Sequence, residues 1–183
     1  MTELAAERPE RARPELAAER PELAAERPER ARAARDDRAD RAQRMREALQ
    51  AGSAAWGRAH LAGDIVGWLT TVAADGRVQS SPVSFLWDGE AVLIYSQPDT
   101  PKLRNILANP RVSFVLNTDA YGDHVLILEG TAELDASAPA WADNPAMVAK
   151  YREPLAHWEL DEAETSRDFS VAIRIRPTRV RAW

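Results

Sequence analysis

Residues 79–115 read QSSPVSFLWDGEAVLIYSQPDTPKLRNILANPRVSFV, and this stretch decides the fold. Two apolar, strand-like runs, Val83–Trp87 and Ala91–Tyr95, flank Asp88-Gly89, a dipeptide whose backbone freedom suits a tight hairpin turn. The segment SQPDTPKLRNILANP then predicts a helix over Thr100–Asn109, with Thr100 as cap, Pro101 at the first position and Asn109-Pro110 as the stop. Lys102 and Arg104 fall in its first turn. The unpaired N–H groups of a helix start are already positive, so added cations there make a place for an anion, most simply a phosphate. The spacing alone is met equally by a surface helix carrying two solvated charges.

The pattern continues on both sides. Ile65–Ala73 is an apolar strand, which Asp75-Gly76 turns into a second strand, Arg77–Trp87. Arg111–Asn117 and Val125–Leu134 read as further strands after the helix. Phe169–Ile175 alternates Val171, Ile173 and Ile175 on one face against Ala172 and Arg174 on the other, and is expected to resume after Pro177. Arg46–Leu61 suggests an amphipathic helix, and Trp141–Trp158 a helix interrupted near Pro154. Serial hairpins with one short crossing helix imply an antiparallel sheet that must close or be covered, and the count suits a six-stranded barrel.

The first 44 residues are a different material. ELAAERP occurs at 3–9, 15–21 and 22–28, no valine, isoleucine or aromatic residue appears, and 11 arginines balance 11 acids. With so little to bury, this segment cannot offset its ordering entropy, and Pro9, Pro14, Pro21 and Pro28 cut any helix into pieces. It is expected to be a low-complexity tail, dispensable for folding and binding, with residues 45–183 as the working domain.

Composition narrows the function. The chain has 183 residues, a net charge of −5 and no cysteine, which removes disulfides, thiol nucleophiles and thiolate metal sites. The mild acidity argues against nucleic-acid binding, which needs a basic patch or stripe. No apolar run reaches membrane-spanning length and the N-terminus lacks a signal peptide's apolar core, so a cytoplasmic protein that contacts no membrane is expected. No G-x-G-x-x-G or Walker loop occurs, and the serines lack a G-x-S-x-G context. His60, His124 and His157 are scattered without metal-ligand spacing, so no metal site is expected, and His124 reads as a turn residue. Asp161-Glu162 reads as solvated or capping groups. The six tryptophans read as packing and interface residues, any one of which could line a pocket.

Gln79-Ser80-Ser81-Pro82-Val83-Ser84 places small polar side chains on an otherwise apolar sheet. Period-2 geometry sends Gln79, Ser81 and Val83 to one face and Ser80, Pro82 and Ser84 to the other. Pro82 lacks an N–H, which predicts an edge-like section where a flat ring could lie against the backbone. Ordinary serines on a solvent-facing strand satisfy the same pattern.

The ordered set GWLTTVAADGRVQSSPVSFLW, LIYSQPDTPKLRNILANPRVSFVL and HVLILEGTAEL resembles the split β-barrel superfamily of pyridoxamine 5′-phosphate oxidases. Within it, the chain is most similar to the actinobacterial branch of coenzyme F-420-dependent oxidoreductases, over about Gly63–Trp183. The resemblance implies a mainly β, six-stranded Greek-key split barrel that works as a homodimer with its cofactor in a shared groove. It implies that the Gln79–Ser84 strand, with Gln79, Ser80, Ser81, Pro82 and Ser84, contacts the isoalloxazine or deazaflavin ring. It also implies that Tyr95, Ser96, Pro101 and Lys102 hold the cofactor's phosphate, with Arg104 and Asn105 as second choices. Members that use FMN tend to carry Arg-Lys where this chain has Pro101-Lys102, a departure that favours F-420. The expected activity is hydride transfer from reduced F-420 to a small organic acceptor, which needs no conspicuous acid or base; no catalytic residue is assigned. The alternatives are an FMN-dependent oxidase or reductase, or a non-enzymatic carrier of F-420, flavin or haem. Against haem, no histidine lies in the ring-contacting strand.

Overall fold

The computed structural model describes residues 55–183 throughout and, before them, the helical positions Arg32, Asp36, Ala39, Asp40, Gln43, Arg44 and Glu47. The tail expected over residues 1–44 and the first half of the Arg46–Leu61 helix therefore lie largely outside the described residues. Everything below concerns residues 55–183.

Four α-helices and seven strands follow in the order α1 (Ala55–Gly63), β1 (Val66–Val72), β2 (Val78–Ser84), β3 (Leu86–Trp87), β4 (Val92–Ser96), α2 (Pro101–Ala108), β5 (Arg111–Leu116), β6 (Leu126–Leu134), α3 (Pro145–His157), α4 (Glu162–Asp168) and β7 (Val171–Ala182). The strands form one antiparallel sheet in the order β2-β1-β5-β6-β7-β4-β3. β2 and β3 are its two edges, yet only Phe85 separates them in sequence, so the sheet must curl until its edges meet. That closure makes the half-barrel. It also explains why seven strands stand where six are expected: the long Arg77–Trp87 strand breaks at Phe85, whose fully buried ring turns inward onto Phe114, 4.9 Å away between centroids.

The break is held by one side chain. Tyr151 on α3 reaches Phe85 with its hydroxyl, which accepts from the Phe85 N–H at 2.7 Å. The same hydroxyl lies 2.7 Å from the Ile65 carbonyl and 3.0 Å from that of Phe85, either of which can accept its proton. The strand interruption thus leaves no orphaned backbone donor. Burial pushes the Tyr151 hydroxyl up to about 12, so it stays protonated.

Inside the curl, Leu69, Phe85, Phe114, Leu128, Ile173 and Ile175 form the main core. A second cluster lies under α3, where Met147, Tyr151 and Leu155 pack on Leu93, Tyr95 and Trp141. Alternation along β4 serves both, with Val92 and Ile94 facing one cluster and Leu93 and Tyr95 the other.

Several boundaries differ from expectation for local reasons. The Asp88-Gly89 hairpin exists, but its loop spans Asp88–Ala91, closed by Asp88 Oδ1 accepting from the N–H groups of Glu90 and Ala91. The helix expected over Trp141–Trp158 begins as a 3₁₀ turn, Trp141–Asp143, and breaks at Asn144, whose side chain caps α3 through the Met147 N–H. It runs unbroken through Pro154, in its last turns. Asp161 caps α4, a helix the sequence pattern did not suggest, by accepting from the Glu164 N–H. β7 does not pause at Pro177, because the pairing with β6 shifts register between Glu129 and Gly130 and sets Gly130 opposite the proline. Phe169 precedes β7 as the C-cap of α4.

Candidate functional site

β2 is an edge strand, paired only with β1, as the proline at position 82 requires. Its inward row is Gln79, Ser81 and Val83, and its outward row is Ser80, Pro82 and Ser84, of which Ser80 and Pro82 are exposed. Pro82, Val83 and Ser84 of β2, the end of β4, the first turn of α2 and the helices α3 and α4 line a cavity of about 250 Å³. Pro82, Ser84, Tyr95, Ser96 and Lys102 all line it. Five of the eleven expected binding residues, from three separate segments, are thereby brought together.

Lys102 is the only charged residue on that wall. It is half-buried, and burial alone pushes its ammonium below the ordinary lysine value; among the described residues it has no ion pair or hydrogen-bond partner. The first turn of α2 carries no acid. A desolvated cation without a counter-ion, at the positive end of a helix, is an arrangement that an anion stabilises.

Beside it, Ser96 is buried and its hydroxyl lies 3.0 Å from that of Thr100. Thr100 stands at the N-cap as expected, but its hydroxyl caps no helix N–H and turns to Ser96 instead. Ser96 also donates to the Gln97 carbonyl at 3.0 Å. Thr100 thus adjoins the cavity through its contact with Ser96. Asp99, with φ at 60°, forms the strained corner that presents it.

The remaining candidates take other places. The Tyr95 hydroxyl donates to the Pro139 carbonyl at 2.9 Å and receives the Asn144 amide at 3.4 Å, so it is spent on holding α3 rather than free for phosphate. Asn105 is buried and ties α2 to the sheet, donating to Thr71 Oγ1 and Gln79 Oε1 at 3.0 and 3.2 Å. Arg104 folds back onto the Asp99 carbonyl at 2.6 Å. Gln79, Pro101, Arg104 and Asn105 line a separate open groove on the other side of α2, which also carries Arg77. Ser80 pairs with the Thr70 hydroxyl at 2.7 Å, and Ser81 lies opposite Leu69 in the sheet.

The opposite wall of the cavity was not foreseen. It consists of Trp141, then Met147, Tyr151 and Leu155 from α3, then Trp158, Leu160 and Phe169. The period-4 spacing of Met147, Tyr151 and Leu155 was the signal available for it. Two histidines also meet unexpectedly: His60 and His124 stand edge-on to Trp56 at 5.0 and 5.1 Å, each paired to a neighbouring aspartate. No group of three metal-ligating side chains occurs among the described residues.

A family model described as pyridoxamine 5′-phosphate oxidase matches residues 57–183. The chain belongs to that family. Among solved structures, it is 27% identical to an F420 reductase, with a TM-score of 0.52 over 68% of this chain and 94% of that one. It is 26% identical to a candidate pyridoxamine 5′-phosphate oxidase from Listeria innocua, with a TM-score of 0.50 over 68% and 93%. A conserved hypothetical protein from Mycobacterium tuberculosis, 23% identical with a TM-score of 0.54 over 72% and 84%, shares the fold. The matched span contains the whole curled sheet and every residue of the cavity. This member of the family is therefore a split β-barrel of seven strands, and no helix among its described residues is long and apolar enough to cross a membrane.

Proposed function

We propose that this chain is an oxidoreductase that uses reduced coenzyme F-420 to reduce a small organic acceptor. The observation that carries this reading is Lys102, a partly buried cation with no partner among the described residues, facing a cavity beside the Ser96–Thr100 hydroxyl pair. Likeness to an F420 reductase supports the choice of cofactor.

In this reading, the Lys102 ammonium and the Lys102 backbone N–H hold the cofactor's phosphate at the helix start. The outward row of β2, Pro82 and Ser84, borders the ring. When bound, F-420 supplies a hydride, two electrons with one hydrogen, to an electron-poor carbon of the acceptor, whose second hydrogen arrives as a proton from water. The chain's contribution is to fix the phosphate and shape the ring's resting place against the α3 and α4 wall. Tyr151 acts at one remove, by keeping β2 broken at Phe85 so that Ser84 faces the cavity.

We further propose a homodimer, supported by the outer face of the sheet, where Trp68 and Val78 remain 42% and 68% exposed. The test of function is titration of the full chain with F-420 and, separately, with FMN, followed by turnover of the reduced form of the tighter ligand with a panel of enones and quinones. Saturable F-420 binding with turnover supports the proposal. Preference for FMN moves it to the flavin-dependent oxidases and reductases. Binding without turnover identifies a carrier.

A further inference from the structure

Two elements supply the parts of the cavity that the cofactor reading uses: α2 brings Lys102, and β2 brings Pro82 and Ser84. Each is anchored separately. α2 packs on β1 and β6, with Leu103 and Ile106 in the main core, whereas β2 is an edge strand whose sheet neighbour is β1. Among the described residues a single hydrogen bond runs directly from α2 to β2, from Asn105 Nδ2 to Gln79 Oε1 at 3.2 Å. The other hydrogen of that nitrogen goes to Thr71 Oγ1 at 3.0 Å, and Thr71 and Gln79 are direct partners across β1 and β2. One buried amide therefore clamps a cross-strand pair with both of its donors committed. On α2 it stands three residues, nearly one turn, beyond Lys102, and Gln79 stands three residues before Pro82 on β2. Directional bonds to two strands resist rotation and sliding of this short helix, which the non-directional packing of Leu103 and Ile106 resists less.

Resting on the proposed function, we infer that Asn105, through Gln79, is a positioning residue that sets the spacing between Lys102 and the end of β2 bordering the ring. Neither side chain has to touch the ligand for this. A ligand that carries a ring and a phosphate on one frame binds more tightly than its two halves, because the second contact forms at a high effective concentration. That gain depends on the two contacts being correctly spaced. Loosening the clamp costs the joined ligand and spares the halves.

The test uses the full chain and two sets of probes: F-420, its phosphate-free deazaflavin and inorganic phosphate, then FMN, riboflavin and inorganic phosphate. Equilibrium binding is measured for the natural chain and three variants. Gln79→Ala removes the acceptor, Gln79→Met removes it while keeping the bulk, and Gln79→Glu keeps an acceptor oxygen. The inference expects Gln79→Ala and Gln79→Met to weaken F-420 by about tenfold while affinity for each half changes by less than about twofold. In Gln79→Glu the ratio of F-420 affinity to that of its halves should stay within about threefold of the natural ratio. Circular dichroism confirms that the variants fold. The inference is overturned if F-420 binds every variant as it binds the natural chain, or if Gln79→Glu loses the ratio as Gln79→Ala does. It is also overturned if either half weakens in step with F-420, which marks a direct contact or a general loosening. Failure of F-420 to bind the natural chain, with the expected pattern in the FMN set, would count against the cofactor reading and leave the positioning role standing. Binding of neither F-420 nor FMN overturns both.

Discussion

Replacing Tyr151 by phenylalanine removes one oxygen and tests how the barrel is closed. That oxygen accepts from the Phe85 N–H and can donate to the carbonyl of Ile65 or Phe85. The Phe85 N–H sits at a fully buried residue between two strands and has no water to turn to. Stranding it costs about 1–3 kcal/mol, and losing a donor to the carbonyls adds about 1 kcal/mol, so the variant should lose about 2–4 kcal/mol of stability. With a urea dependence of about 1.5 kcal/mol per molar, the unfolding midpoint should fall by roughly 1.3–2.7 M. The assay is urea unfolding followed by tryptophan fluorescence in parallel with circular dichroism. A midpoint shift under about 0.4 M, with unchanged slope, would refute the claim that this hydroxyl holds the interruption. A second readout separates position from stability. At low urea the variant should keep its affinity for inorganic phosphate at the Lys102 end while binding the ring-bearing cofactor more weakly, because Ser84 is no longer fixed.

Three other substitutions carry distinct signatures. Lys102→Ala should weaken F-420 binding by about ten- to a hundredfold, the worth of a charge-assisted hydrogen bond, without lowering the unfolding midpoint, since no internal pair is broken; calorimetric titration reads both sides. The Ser137 hydroxyl and then the Arg174 guanidinium lower the Asp135 carboxyl to about 2, so its contribution is present above the ordinary carboxylate range and lost as pH falls from about 4 toward 2. Asp135→Asn should flatten that acid limb in a pH series of thermal melts and cost about 1.5–3 kcal/mol at neutral pH, since Arg174 bridges Asp135 and Asp88 at 2.6 Å each. Gly130→Ala would place a Cβ on the Arg176 carbonyl oxygen and 2.8 Å from Pro177 Cα, both backbone atoms; a loss of more than about 2 kcal/mol in chemical unfolding is expected, and a neutral effect would show that the β6–β7 bulge is not tight.

The sheet was legible because its strands carry their own punctuation. Alternation in β7, Asp-Gly at both early hairpins and Thr-Pro to Asn-Pro around α2 placed those elements within about two residues. The break at Phe85 was not legible, since nothing local marks it; the tyrosine that stabilises it lies 66 residues away. Of the candidate site, Lys102 and Ser96 were recoverable because one helix start and one strand end carry them. Tyr95 and Asn105 carry hydrogen bonds that brace the scaffold, and polar side chains look alike in sequence whether they face a ligand or serve such a role. Only their partners, Pro139 and Asn144 for one, Thr71 and Gln79 for the other, separate the two roles. The α3 wall was missed because the Met147, Tyr151 and Leu155 stripe reads as ordinary core, which in part it is.

The central claim is that Lys102 gives this cavity its affinity for a phosphate-bearing deazaflavin. It is tested most directly by comparing F-420 with the same deazaflavin lacking its phosphate side chain, titrated into the natural chain and into Lys102→Ala. The account predicts that the natural chain binds F-420 the more tightly and that the difference collapses in the variant. Equal binding of the two ligands by the natural chain, or a difference that survives the substitution, would contradict it.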